Sequence, residues 1–410
     1  MTEGFFTKKE LQPTSRIDGK IRSCVSCQLG KWCINPKMPP YGNFKKRIMV
    51  IGEAPGETED RRNKPWQGKA GMLLQETMSS LGIDLFEDCI SLNACNCRPI
   101  DEKGNNRTPS NYEIECCRKE VIQAINQYYP SMILLLGGCS IYSVIGYRWQ
   151  RELEGITKWR GWTIPDQDFK TWICPTFHPS YILRGGNPVE PLIWKSDLQE
   201  AIKKAEIPLP RFKEPEIEEI KDLQTLEQQI KSDLITFDYE TTGKKPQGKK
   251  HKILIASIAD TFDHAYAFVM PSSHSQQMPF LKILANSHIG KMSHNMKFED
   301  NWTEVKLRWK VKGWQWDSML AAHILDNRPG ITGLKFQTYI NFGVVDYDSD
   351  IRPYLENHSK DGNALNTLED FIKTDRGRDI TLHYCALDSI YQYRLAMKQM
   401  ELMNYSFLPF

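Results

Sequence analysis

Four short runs, Arg47–Glu53, Cys89–Cys95, Ser131–Gly137 and Thr171–Phe177, are apolar at nearly every position. Runs of this length without alternation are expected of strands buried on both faces. Between them, apolar residues recur at the helical spacing over Ala70–Leu81 and Asn111–Gln127, which predicts helices there. Strand alternating with helix predicts a parallel sheet covered on both sides. Ligand sites in such sheets lie beyond the carboxyl ends of the strands. Gly52–Gly56 and His178–Ser180 fall at two of those ends.

A charged, proline-bearing stretch, Ile207–Glu219, then interrupts the pattern. Pro208, Pro210 and Pro215 favour an extended connector. Beyond it, Leu234–Glu240, Ile253–Asp260, His264–Met270 and Ile289–Ser293 read as strands, and Asp317–Leu325 and Asp379–Met403 as helices. A sheet followed by helices predicts an α/β sandwich of the ribonuclease-H type. The chain of 410 residues is long enough for two domains with separate cores. The expected division is a first domain over 1–205, a linker over 206–219 and a second domain over 220–410.

Composition narrows the class. Apolar residues make up 40% and charged residues 25%, as in an ordinary globular protein. There is no run of 18 apolar residues, and the first ten residues lack the layout of a signal peptide. No membrane span and a cytoplasmic location are therefore expected. The net charge of +2 is too balanced to demand a polyanion partner, although basic clusters occur at Lys45–Arg47 and around Lys249–Lys252. Ten of the 11 cysteines fall within the first 174 residues. Without a secretory layout, such clustering points to metal or iron–sulfur ligation rather than disulfides.

Cys24 and Cys27 form a Cys-x-x-Cys pair, and further thiols follow at Cys95, Cys97, Cys116 and Cys117. A close pair plus two distant thiolates can hold a [4Fe–4S] cluster or a structural zinc, and spacing does not separate the two. Around them stand Gly52-Glu-Ala-Pro-Gly-Glu-Thr-Glu-Asp60, Lys64-Pro-Trp-Gln-Gly-Lys-Ala-Gly71, Asn93 with Cys97-Arg-Pro, Asn106-Arg-Thr-Pro109 and Phe177-His-Pro-Ser180. Together and in this order they resemble the iron–sulfur, family-four uracil-DNA glycosylases over residues 20–203. The resemblance implies a four-stranded parallel α/β/α fold and a [4Fe–4S] cluster on Cys24, Cys27, Cys97 and Cys117, with Cys33 and Cys95 as spares. It implies a flipped uracil stacked on Trp66, where the family has Phe. Asn93 would read the base edge and Glu59 would face the pocket. His178 would donate to the departing base, Glu53 would position water, and Arg184 would contact the DNA strand or fill the gap. The loop Asp101–Thr108 lacks the histidine of a DNA-trapping subgroup, so turnover is implied.

Asp238 and Glu240 lie two apart in an apolar strand and so share one face. Two carboxylates there are costly unless cations bind them, and magnesium or manganese suits oxygen donors. His294-Asn-Met-Lys-Phe-Glu-Asp300 and Tyr384-Cys-Ala-Leu-Asp388 follow, with Trp316-Asp-Ser and Gly333-Leu-Lys between them. This series resembles the 3′–5′ exonuclease domain of family-A (DNA polymerase I-type) polymerases over residues 220–402. The resemblance implies two Mg²⁺ or Mn²⁺ ions held by Asp238, Glu240, Glu299 and Asp388. Tyr384 would orient water and Asn295 would help position the DNA strand. The family usually has Asp four residues after the Asn; here Glu299 stands there and Asp300 is next.

The combined expectation is a DNA repair and replication enzyme that releases uracil and degrades single-stranded or frayed 3′ ends. Two alternatives stay open: an exonuclease whose first domain only binds DNA or uracil, and a noncatalytic polymerase-accessory scaffold. The chain ends about where a family-A polymerase would begin its polymerising domain, so both a stand-alone partner of a separate DNA polymerase and a fragment are compatible with it.

Overall fold

A computed structural model describes residues 27–149, 151–357, 359, 361 and 363–405. Two compact units result, Met1–Pro210 with Phe342–Val345, and Arg211–Asn341 with Asp346–Phe410.

The first unit is built on β1 (Ile48–Gly52), β2 (Cys89–Asn93), β3 (Met132–Leu136), β4 (Ile164–Asp166) and β5 (Thr171–Thr176) in the order β2-β1-β3-β5-β4. β1, β2, β3 and β5 are mutually parallel where they pair, and every one of their residues is buried. This is why their sequences show no alternation. The fifth strand was not expected. β4 is an antiparallel edge of three residues that contains Pro165, too short and too proline-marked to read as a strand. The helices Lys69–Ser80 and Asn111–Tyr128 stand where periodicity puts them, joined by Gly138–Arg148 and Glu190–Ala205. Asn111–Tyr128 starts at a capping box, in which Ser110 accepts the Glu113 N–H and Glu113 accepts the Ser110 N–H. Register sets the site: Gly52 pairs with Asn93 at the ends of β1 and β2, and the Gly137 N–H donates to Thr176 beyond β3 and β5.

The second unit has six strands, β6 (Glu216–Glu219), β7 (Leu234–Thr241), β8 (Ile253–Ala259), β9 (His264–Val269), β10 (Gly290–Ser293) and β11 (Trp314–Asp317), in the order β11-β10-β7-β8-β9-β6. β7, β8 and β9 run antiparallel, while β10 and β6 pair in parallel with β7 and β9. The end of the expected connector thus becomes an edge strand, mostly exposed and acidic, which suits an edge that must not recruit another chain. β7 divides its faces by the two-residue period. Ile235, Phe237 and Tyr239 enter a core with Phe268, Phe280 and Trp302. Leu234, Thr236, Asp238 and Glu240 lie on the opposite face. There Leu234 packs in a core with Leu382 and Ile390 of the helix Asp375–Leu402, and Thr236 donates to Ser389 O at 2.7 Å. That helix starts at Thr374, whose Oγ1 accepts the Gly377 N–H. No helix among the described residues is long and apolar enough to cross a membrane.

Candidate active sites

In the first unit, Asn93, Trp66 and His178 gather at the carboxyl ends of β1, β2 and β5. Gly52 lets them meet: a Cβ there would lie 2.7 Å from Asn93 Oδ1 and 2.9 Å from the Trp66 ring. Trp66 is only 6% exposed, holds a positive φ of 60°, and has a buried Nε1 without a hydrogen-bond partner. Gly71 makes room for that loop, since a Cβ there would come within 2.2 Å of the Trp66 carbonyl carbon. The Glu59 carboxylate accepts the Gln67 and Gly68 N–H groups at 2.8 and 2.7 Å. Glu59 therefore pins the Trp66 loop.

The His178 ring centre lies 5.8 Å from that of Trp66, tilted by 33°. Its Nδ1 accepts the Ser180 N–H at 3.2 Å and meets Ser180 Oγ at 2.8 Å. A backbone N–H can only donate, so the neutral ring carries its proton on Nε2. Burial, reinforced by the positive charge of Arg184, pushes the His178 pKa down to about 4, so the ring is neutral at physiological pH. Burial raises the Glu53 carboxyl above its ordinary range, against hydrogen bonds from Thr108 and Cys139 and the charge of Arg184. Arg184 ends the short helix Pro179–Arg184 and is the cation that both groups feel.

Cys24 lies outside the described residues. Cys27, Cys33, Cys95, Cys97 and Cys117 share one small cluster with Leu29 and Ala54. Cys97 Sγ accepts the Lys37 N–H at 3.3 Å. Cys117 is pushed down to about 7, chiefly by its hydrogen bond with Cys95, while Cys95 itself is driven up by the same bond and by burial. Cys116 and Cys117 are neighbours in sequence, but only Cys117 belongs to the cluster.

In the second unit, Asp238, Glu240, Glu299 and Asp388 are all close enough to interact electrostatically. Ligand atoms of Asp238, Glu240 and Cys385 lie within 4.8 Å of one another. Burial and the charge of Asp388 raise Asp238 to about 8, and burial with the neighbouring carboxylates lifts Glu240 and Glu299 well above the usual range. Such crowding calls for cations, and carboxylate oxygens fit hard divalent ones. Glu299 and Asp300 are consecutive on the helix Met296–Trp302 and have different surroundings. Glu299 is 2% exposed and accepts from Ser293 Oγ at 2.9 Å, whereas Asp300 accepts from Trp314 Nε1 at 3.2 Å. Asn295 precedes that helix with a φ of 72°, and its N–H donates to Asp317 Oδ1 at 3.1 Å. Asp317 also takes the Met296, Met319 and Leu320 N–H groups, which ties the two motifs together. Tyr384 is buried and feels the charges of Asp388, Glu240 and Asp238.

Sequence reasoning passed over four groups here. Gln392 Nε2 donates to Asp238 Oδ1 at 2.8 Å, and its Oε1 is buried without a partner. Tyr347 OH donates to Asp388 Oδ1 at 2.6 Å, and Lys335 pairs with the same oxygen. Cys385 approaches Asp238 and Ser257. Gln392 was findable, because it sits one helical turn after Asp388. Tyr347 carried no local signal.

Residues 39–199 match the family described as "Uracil DNA glycosylase superfamily", and residues 216–403 match "3'-5' exonuclease". The chain is similar to the type-4 uracil-DNA glycosylase of Pyrobaculum aerophilum, 35% identical over 165 residues that span 40% of this chain and 81% of that protein. It is likewise similar to that of Thermotoga maritima, 36% identical over 180 residues spanning 44% of this chain and 86% of the relative. A DNA polymerase of Bacillus phage SP01 is 26% identical over 330 residues, spanning 72% of this chain and 34% of the polymerase. That stretch is longer than either family match and so takes in parts of both.

Proposed function

Because the chain belongs to the type-4 uracil-DNA glycosylases through its N-terminal domain and carries a 3′–5′ exonuclease domain after it, we propose that one molecule both releases uracil from DNA and degrades 3′ ends by phosphodiester hydrolysis. Both families are hydrolases acting on DNA. One observation carries the reading: each set of motifs, scattered along the sequence, closes in space onto its own site.

In the first site an everted base stacks on Trp66 and is read by the Asn93 amide. Breaking the N-glycosidic bond leaves negative charge on the base. The Nε2–H of neutral His178 donates to that charge without itself being consumed as an acid. Glu53 holds water toward the sugar, and Arg184 meets the DNA backbone. Cys24, Cys27, Cys97 and Cys117 would hold a [4Fe–4S] cluster that fixes the surrounding loops. The support is a cluster of thiols in which Cys97 already accepts a backbone N–H and Cys117 packs beside Cys27 and Cys97. A brown colour and a visible absorption band are expected of the purified protein; a colourless protein carrying zinc would replace the cluster with the other four-thiolate chemistry.

In the second site Asp238, Glu240, Glu299 and Asp388 would hold two Mg²⁺ or Mn²⁺ ions, which supply electrostatic stabilisation to the attacking and leaving oxygens. Tyr384 orients the water from the buried side, Gln392 fixes Asp238, and Asn295 steadies the strand. A single-stranded or frayed 3′ end is the substrate a recessed carboxylate cluster can admit. Action beside a separate DNA polymerase completes the proposal; in the phage relative, the stretch similar to this chain is part of a DNA polymerase itself. The test uses matched oligonucleotides with and without one uracil, in EDTA or in Mg²⁺. Alkali-labile breaks at uracil in EDTA, and 3′ shortening of either strand only with Mg²⁺, are expected. No breaks in EDTA would reduce the first domain to a binding module, and no shortening would remove the nuclease.

Gly52→Ala separates the slot from the rest of the first domain. The added methyl must displace Asn93 or Trp66, which costs about 1–3 kcal/mol of stability as an overpacked site. Uracil release should fall by roughly 10²-fold as the slot is misplaced, with Mg²⁺-dependent shortening unchanged; both are read from the same two oligonucleotides.

A further inference from the structure

Lys335 stands at the start of the helix Leu334–Phe342 and reaches into the exonuclease cluster. Its Nζ donates to Asp388 Oδ1 and, at 2.9 Å, to Tyr347 OH, which itself donates to the same Asp388 oxygen. The ammonium lies 4.1 Å from the centre of the Tyr347 ring and 4.3 Å from that of Tyr384. One carboxylate oxygen, one hydroxyl and two ring faces therefore fix a single cation, with only 18% of its side chain exposed. Its charge is also felt at Asp238 and Glu240.

We propose that Lys335 is the built-in counter-ion of the exonuclease carboxylates, competing with divalent cations for Asp388 and serving as the free positive charge for the scissile phosphate once they are bound. The proposal rests on the exonuclease reading above. Charge balance leads to it. Four carboxylates alone repel one another, and Lys335 offsets part of that repulsion. Two divalent cations neutralise the four completely, which leaves the lysine charge unspent beside the metal-binding oxygens. A phosphodiester arriving there brings the one negative charge that balances it. Asp388 Oδ1 already accepts two donors, so a cation approaching that oxygen must share it with Lys335 or displace it.

A lysine that merely braced Asp388 would behave differently. Its loss would loosen a ligand and weaken cation binding along with cleavage. A counter-ion that competes predicts opposite signs, and this separates the two roles. In the full chain, Lys335→Met should bind Mn²⁺ roughly tenfold more tightly, read by electron paramagnetic resonance without DNA, because a nearby like charge is gone. At saturating Mn²⁺ it should cleave 3′ ends on the order of 10²-fold more slowly, with the loss in kcat rather than KM. Lys335→Arg keeps the charge and should recover most of the rate. Uracil release by the same preparations reports that the chain is intact. Mn²⁺ affinity unchanged or weaker in Lys335→Met overturns the counter-ion role, and an unchanged rate at saturating Mn²⁺ overturns the phosphate role. A wild-type chain that neither binds Mn²⁺ nor shortens DNA would instead overturn the exonuclease reading itself.

Discussion

Asp238→Ala is expected to lower 3′ shortening by on the order of 10³-fold or more, about 4 kcal/mol of transition-state stabilisation, while uracil release stays at the wild-type rate. Asp238 occupies the middle of the cluster. Glu240 and Glu299 feel its charge, it feels that of Asp388, its Oδ1 is held by Gln392, and Cys385 lies against it. Among the described residues, no other carboxylate is placed to substitute for it. Glu240 is its neighbour on the same strand face and already belongs to the site, and Asp300 is bonded to Trp314. The loss should therefore be in kcat and should not be rescued by more Mg²⁺. A second expectation concerns the protein without metal. Asp238 is raised to about 8 by burial and by Asp388, so its removal relieves repulsion among the remaining acids. The variant should melt in EDTA no lower than the wild type. Loss of both activities, or a collapse of the melting temperature in EDTA, would contradict the assignment of Asp238 to one site only.

His178→Ala is expected to slow uracil release by roughly 10²–10³-fold, the usual consequence of losing one donor to a developing anion, with 3′ shortening untouched. The pH dependence gives the sharper expectation. Because the His178 pKa is pushed down to about 4, the ring stays a neutral donor from alkaline pH to well below 6. Base release should therefore show no limb near 6.5, the ordinary histidine value. The acid limb belongs to Glu53, whose carboxyl is raised by burial. The rate should fall as Glu53 takes a proton, at a pH above the ordinary glutamate value, and Glu53→Gln should remove that limb. Stability follows the same sign. The unfolded chain protonates this histidine near 6.5 while the folded chain does so near 4. The contribution of the neutral ring is thus present above 6.5 and lost as pH falls toward 4. Between pH 7 and pH 5, His178→Ala should lose less thermal stability than the wild type. A rate that falls as pH rises through 6.5, a limb that disappears in His178→Ala, would mean that the imidazolium, not the neutral ring, is the working form.

Where chemistry and burial coincide, the sequence was legible. β1, β2, β3 and β5 stand within a residue or two of their apolar runs, since strands covered on both faces leave no polar position to blur them. The two-residue period put Asp238 and Glu240 on one face of a strand, and they lie together on β7. What escaped was either short or tertiary. β4 and β11 have three and four residues, and β6 is acidic. The helix Asp375–Leu402 begins before Asp379 because Thr374 caps it, a signal that the following charged residues obscure. Glu59 was expected to face the pocket; that its Oε1 also accepts backbone N–H groups of the Trp66 loop is a bond no linear pattern records. That Cys33 and Cys95 pack with Cys27, Cys97 and Cys117 was likewise visible only in the fold. Lys335 belonged to a noticed motif, but its partner Asp388 is far along the chain, and only folding discloses that pair.

Anomalous scattering at the manganese edge, from crystals of the full chain soaked in Mn²⁺, addresses the carboxylate site without any assay. Two peaks among Asp238, Glu240, Glu299 and Asp388 are expected, with Glu299 rather than Asp300 beside the metal. No peak there, or a single ion held by Asp300 or Asp317 instead, would contradict the proposal that these four acids assemble to carry a pair of cations.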